Sequence, residues 1–269
     1  MRASSTRSLI DEIAARPEID NRATFDALWG ILGEQFEKVA ARFELQPDPS
    51  TAELQPYEAI DGSGAGGSLS TFAGPEIDWL VFSWVGNPRL SFSNMHLTVS
   101  LSAKFDAPHL GLALGTAPDI FLYMDYVPRK DLGANPEYMD KYYQELNEVH
   151  LRLKDDPGLT SFISRSLYMR VTQTQASLCF TAPDSEKNMA TVRDTVGKLV
   201  DQWLVNVEKS AIVPVAERPA QAARDEFIRR EIAVRDPMNA MVERMYGKEL
   251  TARLVDALWG GRRELPRPD

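Results

Sequence analysis

Two histidines and two aspartates stand where proton-transfer chemistry would need them. His109 follows Pro108 and opens the apolar run Leu110 to Leu114; an imidazole titrates near neutrality and can give or take a proton, although a histidine at a strand entrance can also simply cap a loop. Asp236 precedes Pro237 at a helix boundary, where aspartate is a common N-cap, so a capping role and an acid role stand side by side. Asp125 ends the run Ile120 to Met124 and leads into Tyr126, Pro128 and Arg129. A turn held by the aspartate is the default there, and a substrate-facing Asp125 or Tyr126 is the alternative. His96, Thr98 and Ser100 alternate with Leu97, Val99 and Leu101, which puts the polar three on one face of a strand. That row is either solvated or lines a cavity, and helices over both faces favour the cavity. Tyr168 and Arg170 share one face of a further strand-like run, placed to meet a substrate carboxylate or phenolate, or to pair at the surface. His150 reads as a surface residue, and no metal-ligand spacing joins the three histidines, so no metal is expected.

Periodicity supplies the elements that carry these residues. Phe25, Leu28, Trp29, Leu32, Phe36, Val39 and Phe43 fall at helical spacing, which predicts a long amphipathic helix over about 22–45, with Asp20 and Asn21 as possible caps. The glycine-rich run Gly62 to Ser68 reads as a flexible turn; it lacks the Lys-Ser or Lys-Thr and the following helix that a phosphate loop needs. Strands are predicted at Trp79 to Val85, Met95 to Lys104, Leu110 to Leu114, Ile120 to Met124, Ser166 to Thr172 and Ala176 to Phe180. Short connections such as Gly86-Asn87-Pro88 predict antiparallel neighbours. A helix over Pro136 to Leu153 interrupts the strands, and helices over Lys187 to Ser210, Ala220 to Val234 and Met238 to Trp259 follow them. Several strands are apolar on both faces. The expected fold is therefore a single α/β domain over 1–269, a three-layer α/β/α sandwich around a mainly antiparallel sheet at about 77–181, with C-terminal helices at about 187–259.

Composition excludes several classes of function. The 39 acidic and 30 basic residues give a formal charge of -9, and no basic run tracks a phosphate backbone or an anionic membrane, so neither is expected as a partner. No stretch of roughly 18 apolar residues appears, and the opening MRASSTRSLIDEIAARPEID lacks a hydrophobic segment, which predicts a cytoplasmic protein without a leader. Cys179 is the single cysteine, so a disulfide framework or a cysteine-bound cluster within one chain is ruled out.

Five motifs in order carry a resemblance: IDWLVFSW from Ile77, DAPHLG from Asp106, LYMDYVPRKDL from Leu122, NPEYMDKYY from Asn135 and SLYMR from Ser166. In sequence and spacing the chain resembles the red chlorophyll catabolite reductases and the related ferredoxin-dependent bilin reductases. The resemblance implies a planar tetrapyrrole held between the sheet and the C-terminal helices, no flavin, nicotinamide or metal cofactor, electrons delivered singly by ferredoxin, and protons delivered by acidic side chains. It also implies a carboxylate facing the pigment on the strand after the Pro-His motif. This chain has Ala113 there, and alanine cannot transfer a proton. The family's second acid falls on Asp236. Ser83 and Trp84 repeat a family pair; without a histidine partner nearby in sequence, Ser83 reads as core packing or substrate contact rather than as a nucleophile.

Three functions follow. The loss of the acid at Ala113 puts first a lyase without cofactor, acting on a bulky aromatic small molecule through Asp236, His109 and Asp125, for example by expelling formaldehyde from a lignin-type hydroxymethyl diaryl compound. Close behind stands ferredoxin-dependent reduction of a linear tetrapyrrole, for which a basic patch at Arg129, Lys130 and Arg170 would receive the acidic ferredoxin. The third is a binder that keeps the pocket without the chemistry. Exposed apolar faces on the C-terminal helices would point to a homodimer, as the resemblance implies.

Overall fold

Period-two alternation through residues 77 to 127 leaves one face of each strand apolar, and the fold is built on that face. The structure is a computed structural model in which residues 19–60 and 62–268 are described. The reading of the N-terminus rests mainly on residues 1–18, which lie outside them. Helix α1 (Arg22–Arg42) leads to β1 (Gln46–Pro47), β2 (Tyr57–Glu58), β3 (Gly66–Ala73), β4 (Ile77–Asn87), β5 (Phe92–Leu101), β6 (His109–Thr116) and β7 (Ile120–Val127). Then come α2 (Pro136–Lys154), β8 (Thr160–Ser161), α3 (Leu167–Thr172), β9 (Leu178–Ala182), α4 (Glu186–Glu208), α5 (Arg218–Arg235) and α6 (Asn239–Trp259). The strands described form one antiparallel sheet in the order β1-β3-β4-β5-β6-β7-β9-β8, with β2 also paired to β3.

Leu97, Val99 and Leu101 of β5, Leu110, Leu112 and Leu114 of β6, and Leu122 and Met124 of β7 share one buried cluster with residues of α1, α2 and α4. Each such side chain contributes about 1.5–3 kcal/mol by leaving water. The opposite face meets α5 and α6: the Trp79 indole donates to the Ala257 carbonyl at 2.9 Å, and Tyr246 donates to Gly66 at 2.7 Å. Helices on both sides give the expected three-layer α/β/α sandwich around an antiparallel sheet.

Two expectations are corrected. The run Ser166 to Thr172 is not a strand: Ser166 caps α3 by accepting from the Met169 N–H at 3.4 Å, and the slot beside β9 is filled by Thr160–Ser161. The sheet also starts earlier than residue 77, because the end of the glycine-rich run enters β3, where a Cβ on Gly67 would run into the Tyr57 ring. Gly67 is therefore part of the ladder, its missing side chain allowing close packing.

Candidate active site

Along β5 and β6, the face of the sheet turned toward α5 carries small and polar side chains, and it does not fill. A cavity of about 160 Å³ lies there, walled by His96, Thr98 and Ser100 of β5, His109 of β6, Trp79 and Val81 of β4, and one stripe of α5 with the residue after it. Asp225, Ile228, Arg229, Ile232, Ala233 and Asp236 form that stripe, recurring at the three- and four-residue spacing of one helical face.

His109 is held by a hydrogen bond at Nδ1, and its Nε2 lies beside Asp225 without closing one. Its Nδ1 accepts the Leu101 N–H at 3.0 Å, so the proton of the neutral ring sits on Nε2, which stands 3.4 Å from Asp225 Oδ2. Burial lowers the His109 pKa against the pull of Asp225. Asp225 Oδ2 accepts from Arg129 Nε at 3.0 Å and Nη2 at 2.6 Å, while Arg129 Nη1 donates to the carbonyls of Phe105 and Ser102 at 2.7 and 3.1 Å. Burial alone would raise the Asp225 pKa, but His109 and Arg129 outweigh it and hold the carboxyl at about 2. The chain thus buries an ion pair beside the cavity, and the Leu101 N–H sets the tautomer of the histidine that faces it.

His96 and Asp236 are held more loosely. Among the described residues the His96 ring meets no hydrogen-bond partner, and burial pushes its pKa down to about 4, so it is a neutral ring at pH 7. Asp236 lies at the junction of α5 and α6, where its Oδ1 accepts the Met238 N–H at 2.8 Å. Burial raises its pKa against that single bond, which favours a carboxylic acid able to donate. Across the sheet, Ser83, His96, Ala113 and Tyr123 stand opposite one another on four successive strands, all on the cavity-side face. Among the described residues no group of three or more His, Cys, Asp or Glu side chains could hold a metal.

The model of the red chlorophyll catabolite reductase family matches residues 31–260. The chain belongs to the red chlorophyll catabolite reductase family. It is 27% identical to the chloroplastic red chlorophyll catabolite reductase of Arabidopsis thaliana over 199 residues, covering 68% of this chain and 62% of that protein. Against the chloroplastic red chlorophyll catabolite reductase 1 of Oryza sativa subsp. japonica it is 23% identical over 236 residues, covering 80% of this chain and 71% of the other. The chain thus spans less than two thirds of the Arabidopsis protein's length. In fold it is similar to tomato phytochromobilin synthase, whose crystal structure is in complex with biliverdin, with a TM-score of 0.71 and 15% identity over 86% of this chain and 82% of that one.

Family membership makes position 113 the one to inspect. Ala113 lies on the cavity-side face opposite His96, but its methyl packs with Ala117 and Phe121 beside Tyr123 and Phe162, and it is not on the cavity wall. Asp125 shares that face opposite Gly111, one cross-strand position away, yet it too is off the wall. Its Oδ1 accepts from the Thr174 hydroxyl at 2.6 Å and its Oδ2 from the Thr174 N–H at 2.7 Å. Burial without a neighbouring cation raises its pKa to about 7.

The other candidates separate by face and element. His96, Thr98, His109 and Asp236 meet around the cavity. Ser83 is buried on the same face, beyond the wall. Tyr126 faces the other way, because one residue of offset along a strand reverses the side chain; it is fully buried and donates to the Leu199 carbonyl at 2.6 Å. Tyr168 and Arg170 are carried outward by α3, Tyr168 beneath the Arg235 guanidinium and Arg170 donating to the Ser164 carbonyl at 2.8 Å. His150 is half-buried rather than on the surface, its Nδ1 2.9 Å from the Ser177 carbonyl oxygen. The basic patch does not form: Arg129 is inside with Asp225, and Lys130 pairs with Asp106 at 2.6 Å. Sequence reading missed Asp225 and Arg229. Their signal was the stripe itself, ionisable residues at the spacing expected of an apolar helix face.

Proposed function

We propose that this chain reduces a linear tetrapyrrole, with two electrons delivered singly by ferredoxin and two protons delivered through side chains of the cavity. The observation that carries this reading is the cavity between the antiparallel sheet and α5, where the Asp236 carboxyl and the His96 ring stand on opposite walls, in a member of the red chlorophyll catabolite reductase family. The fold's likeness to a phytochromobilin synthase bound to biliverdin supports the choice of ligand class. Asp236, whose pKa burial raises, supplies a proton, and His96, a neutral ring with no hydrogen-bond partner among the described residues, receives or relays one. His109, held through Nδ1 and with Nε2 beside Asp225, orients the wall and the ligand. This reading reverses the order of the lyase and the reductase reached from Ala113 alone, because the relatives' names speak for reduction.

The test is to incubate the protein with biliverdin and reduced ferredoxin and follow the pigment's long-wavelength absorbance. Bleaching that requires the reductant is expected; an unchanged spectrum over many equivalents of ferredoxin removes the proposal. The missing carboxylate at position 113 lends no support to a lyase, because Ala113 packs with Ala117 and Phe121 off the cavity wall.

A further inference from the structure

The short helix α3 and the outward side of α5 leave large apolar side chains in water. Leu167 and Val171, one turn apart on α3, are 67% and 72% exposed, and Phe227 and Val234 are each more than half exposed on the stripe of α5 turned away from the cavity. The two helices pack together, with the Arg235 guanidinium 5.1 Å from the centre of the Tyr168 ring, so these residues belong to one patch. Single apolar residues at a surface need no explanation, whereas four on two adjoining helices mark a contact surface.

Charge says what that surface would meet. Arg165 and Arg170 stand on the α3 side and Arg230 and Arg235 on the α5 side, Arg230 lying over the Phe227 ring at 5.2 Å. Glu231, 2.7 Å from Arg235 and 3.4 Å from Arg230, is the carboxylate between them. The sequence has no Asp or Glu from Pro157 to Pro183, although the whole chain carries 39 acidic residues and a formal charge of -9. A basic patch on an acidic protein steers in an acidic partner, while a two-fold pairing of the chain through this face would bring the basic patch against itself. Ile228 and Ile232 line the cavity from the inner stripe of the same helix. A partner on the outer stripe is thus one helix, about 10 Å across, from the cavity.

We propose that α3 and the outward stripe of α5 form the docking surface for the acidic ferredoxin that delivers the electrons. The inference rests on the ferredoxin-dependent reading given above and adds to it the place of contact. Of the three cations that the sequence offered for this role, Arg170 alone belongs to the surface, because Arg129 and Lys130 are drawn to Asp225 and Asp106. An apolar centre among arginines suits a small, transient electron-transfer interface, in which charge speeds the encounter and apolar contact holds the docked pair.

The experiment titrates the full chain with oxidised plant-type ferredoxin by calorimetry, at low salt and at about 0.5 M salt. The wild type is expected to bind at low salt and to lose at least tenfold in affinity at the higher. The double variant Arg170→Glu, Arg230→Glu should weaken low-salt binding at least tenfold and Leu167→Ala severalfold. Arg193→Glu on α4, beyond the opposite face of the sheet, should leave it unchanged. No binding at low salt, or a double variant that binds as the wild type does, overturns the proposal. So does self-association of the wild type that Leu167→Asp abolishes, since a second copy would then own the surface. Should the double variant fail to fold, Arg170→Glu alone, at an exposed position, decides. The titration needs no pigment, so a chain that leaves biliverdin unchanged can still pass, and one that bleaches it can still fail.

Discussion

The two faces of one sheet follow opposite rules. Toward α1, α2 and α4, the face of β5, β6 and β7 carries Leu97, Val99, Leu101, Leu110, Leu112, Leu114, Leu122 and Met124, and it is closed by interlocking side chains. Toward α5, the same strands carry His96, Thr98, Ser100, His109, Gly111, Ala113, Gly115, Phe121, Tyr123 and Asp125, and a cavity remains beside the first four. Thr98, Ser100 and Gly111 leave space beneath a helix that a row of leucines would fill. One face therefore supplies the cohesion, and the other spends some of it on polar groups held at fixed positions.

Variants on the two faces should behave differently. The largest effect is expected from Asp225→Asn, which removes the partner of the buried Arg129 and should cost about 3–5 kcal/mol in urea unfolding. A loss under about 1 kcal/mol would mean that water reaches the pair. On the apolar face, Leu112→Ala should cost about 2–5 kcal/mol, since Leu112 is fully buried and its neighbours cannot collapse onto the gap. Thr98→Ala, one strand away on the cavity wall, should stay within about 0.5 kcal/mol. Equal losses at Leu112 and Thr98 would end the distinction between the faces.

That distinction was legible in the sequence only where it is local. Alternation in β5 assigns His96, Thr98 and Ser100 to one face without knowledge of any partner, and the antiparallel sheet follows from short connections between such runs. Failures came where a distant partner decides. Arg129 read as a surface cation because the carboxylate that draws it inside lies 96 residues away. The run Ser166 to Thr172 has a strand's alternation, but Thr160–Ser161 already occupies the edge of β9, and the run forms α3 instead. Tyr126 was assigned to the substrate side although its immediate neighbour Asp125 already claimed that face, a parity error that alternation alone could have prevented.

On the cavity side the effects are smaller and read in chemistry. Asp236→Asn should lower the rate of reductant-dependent biliverdin bleaching at least tenfold while the unfolding midpoint barely moves, because the carboxyl makes a single bond, to Met238, that an amide oxygen can also accept. Unchanged turnover would transfer the donor role elsewhere in the cavity, and His96→Gln is the variant to try next.

The remaining acid of this face tests the comparison by pH. Asp125 has a folded-state pKa of about 7 against an ordinary 3.8, because burial opposes its charge and no cation offsets it. A carboxyl whose pKa is raised on folding favours the folded state below its unfolded pKa, and that contribution is lost as pH rises toward the folded value. Between pH 5 and 6, where the unfolded group has already ionised and the folded one has not, stability should fall by about 1.4 kcal/mol per pH unit from this residue. Asp225 contributes no slope there: its pKa, lowered to about 2, gives stability that is present above about pH 4 and is lost only as pH falls through 2. Urea unfolding of the wild type and Asp125→Asn at pH 5 and 6 isolates the difference, since the amide keeps an acceptor for the Thr174 N–H and a donor for the Thr174 hydroxyl. Parallel pH dependence in the two proteins would mean that Asp125 is ionised in the fold, and the polar face would then hold a charge that its small, uncharged neighbours do nothing to balance.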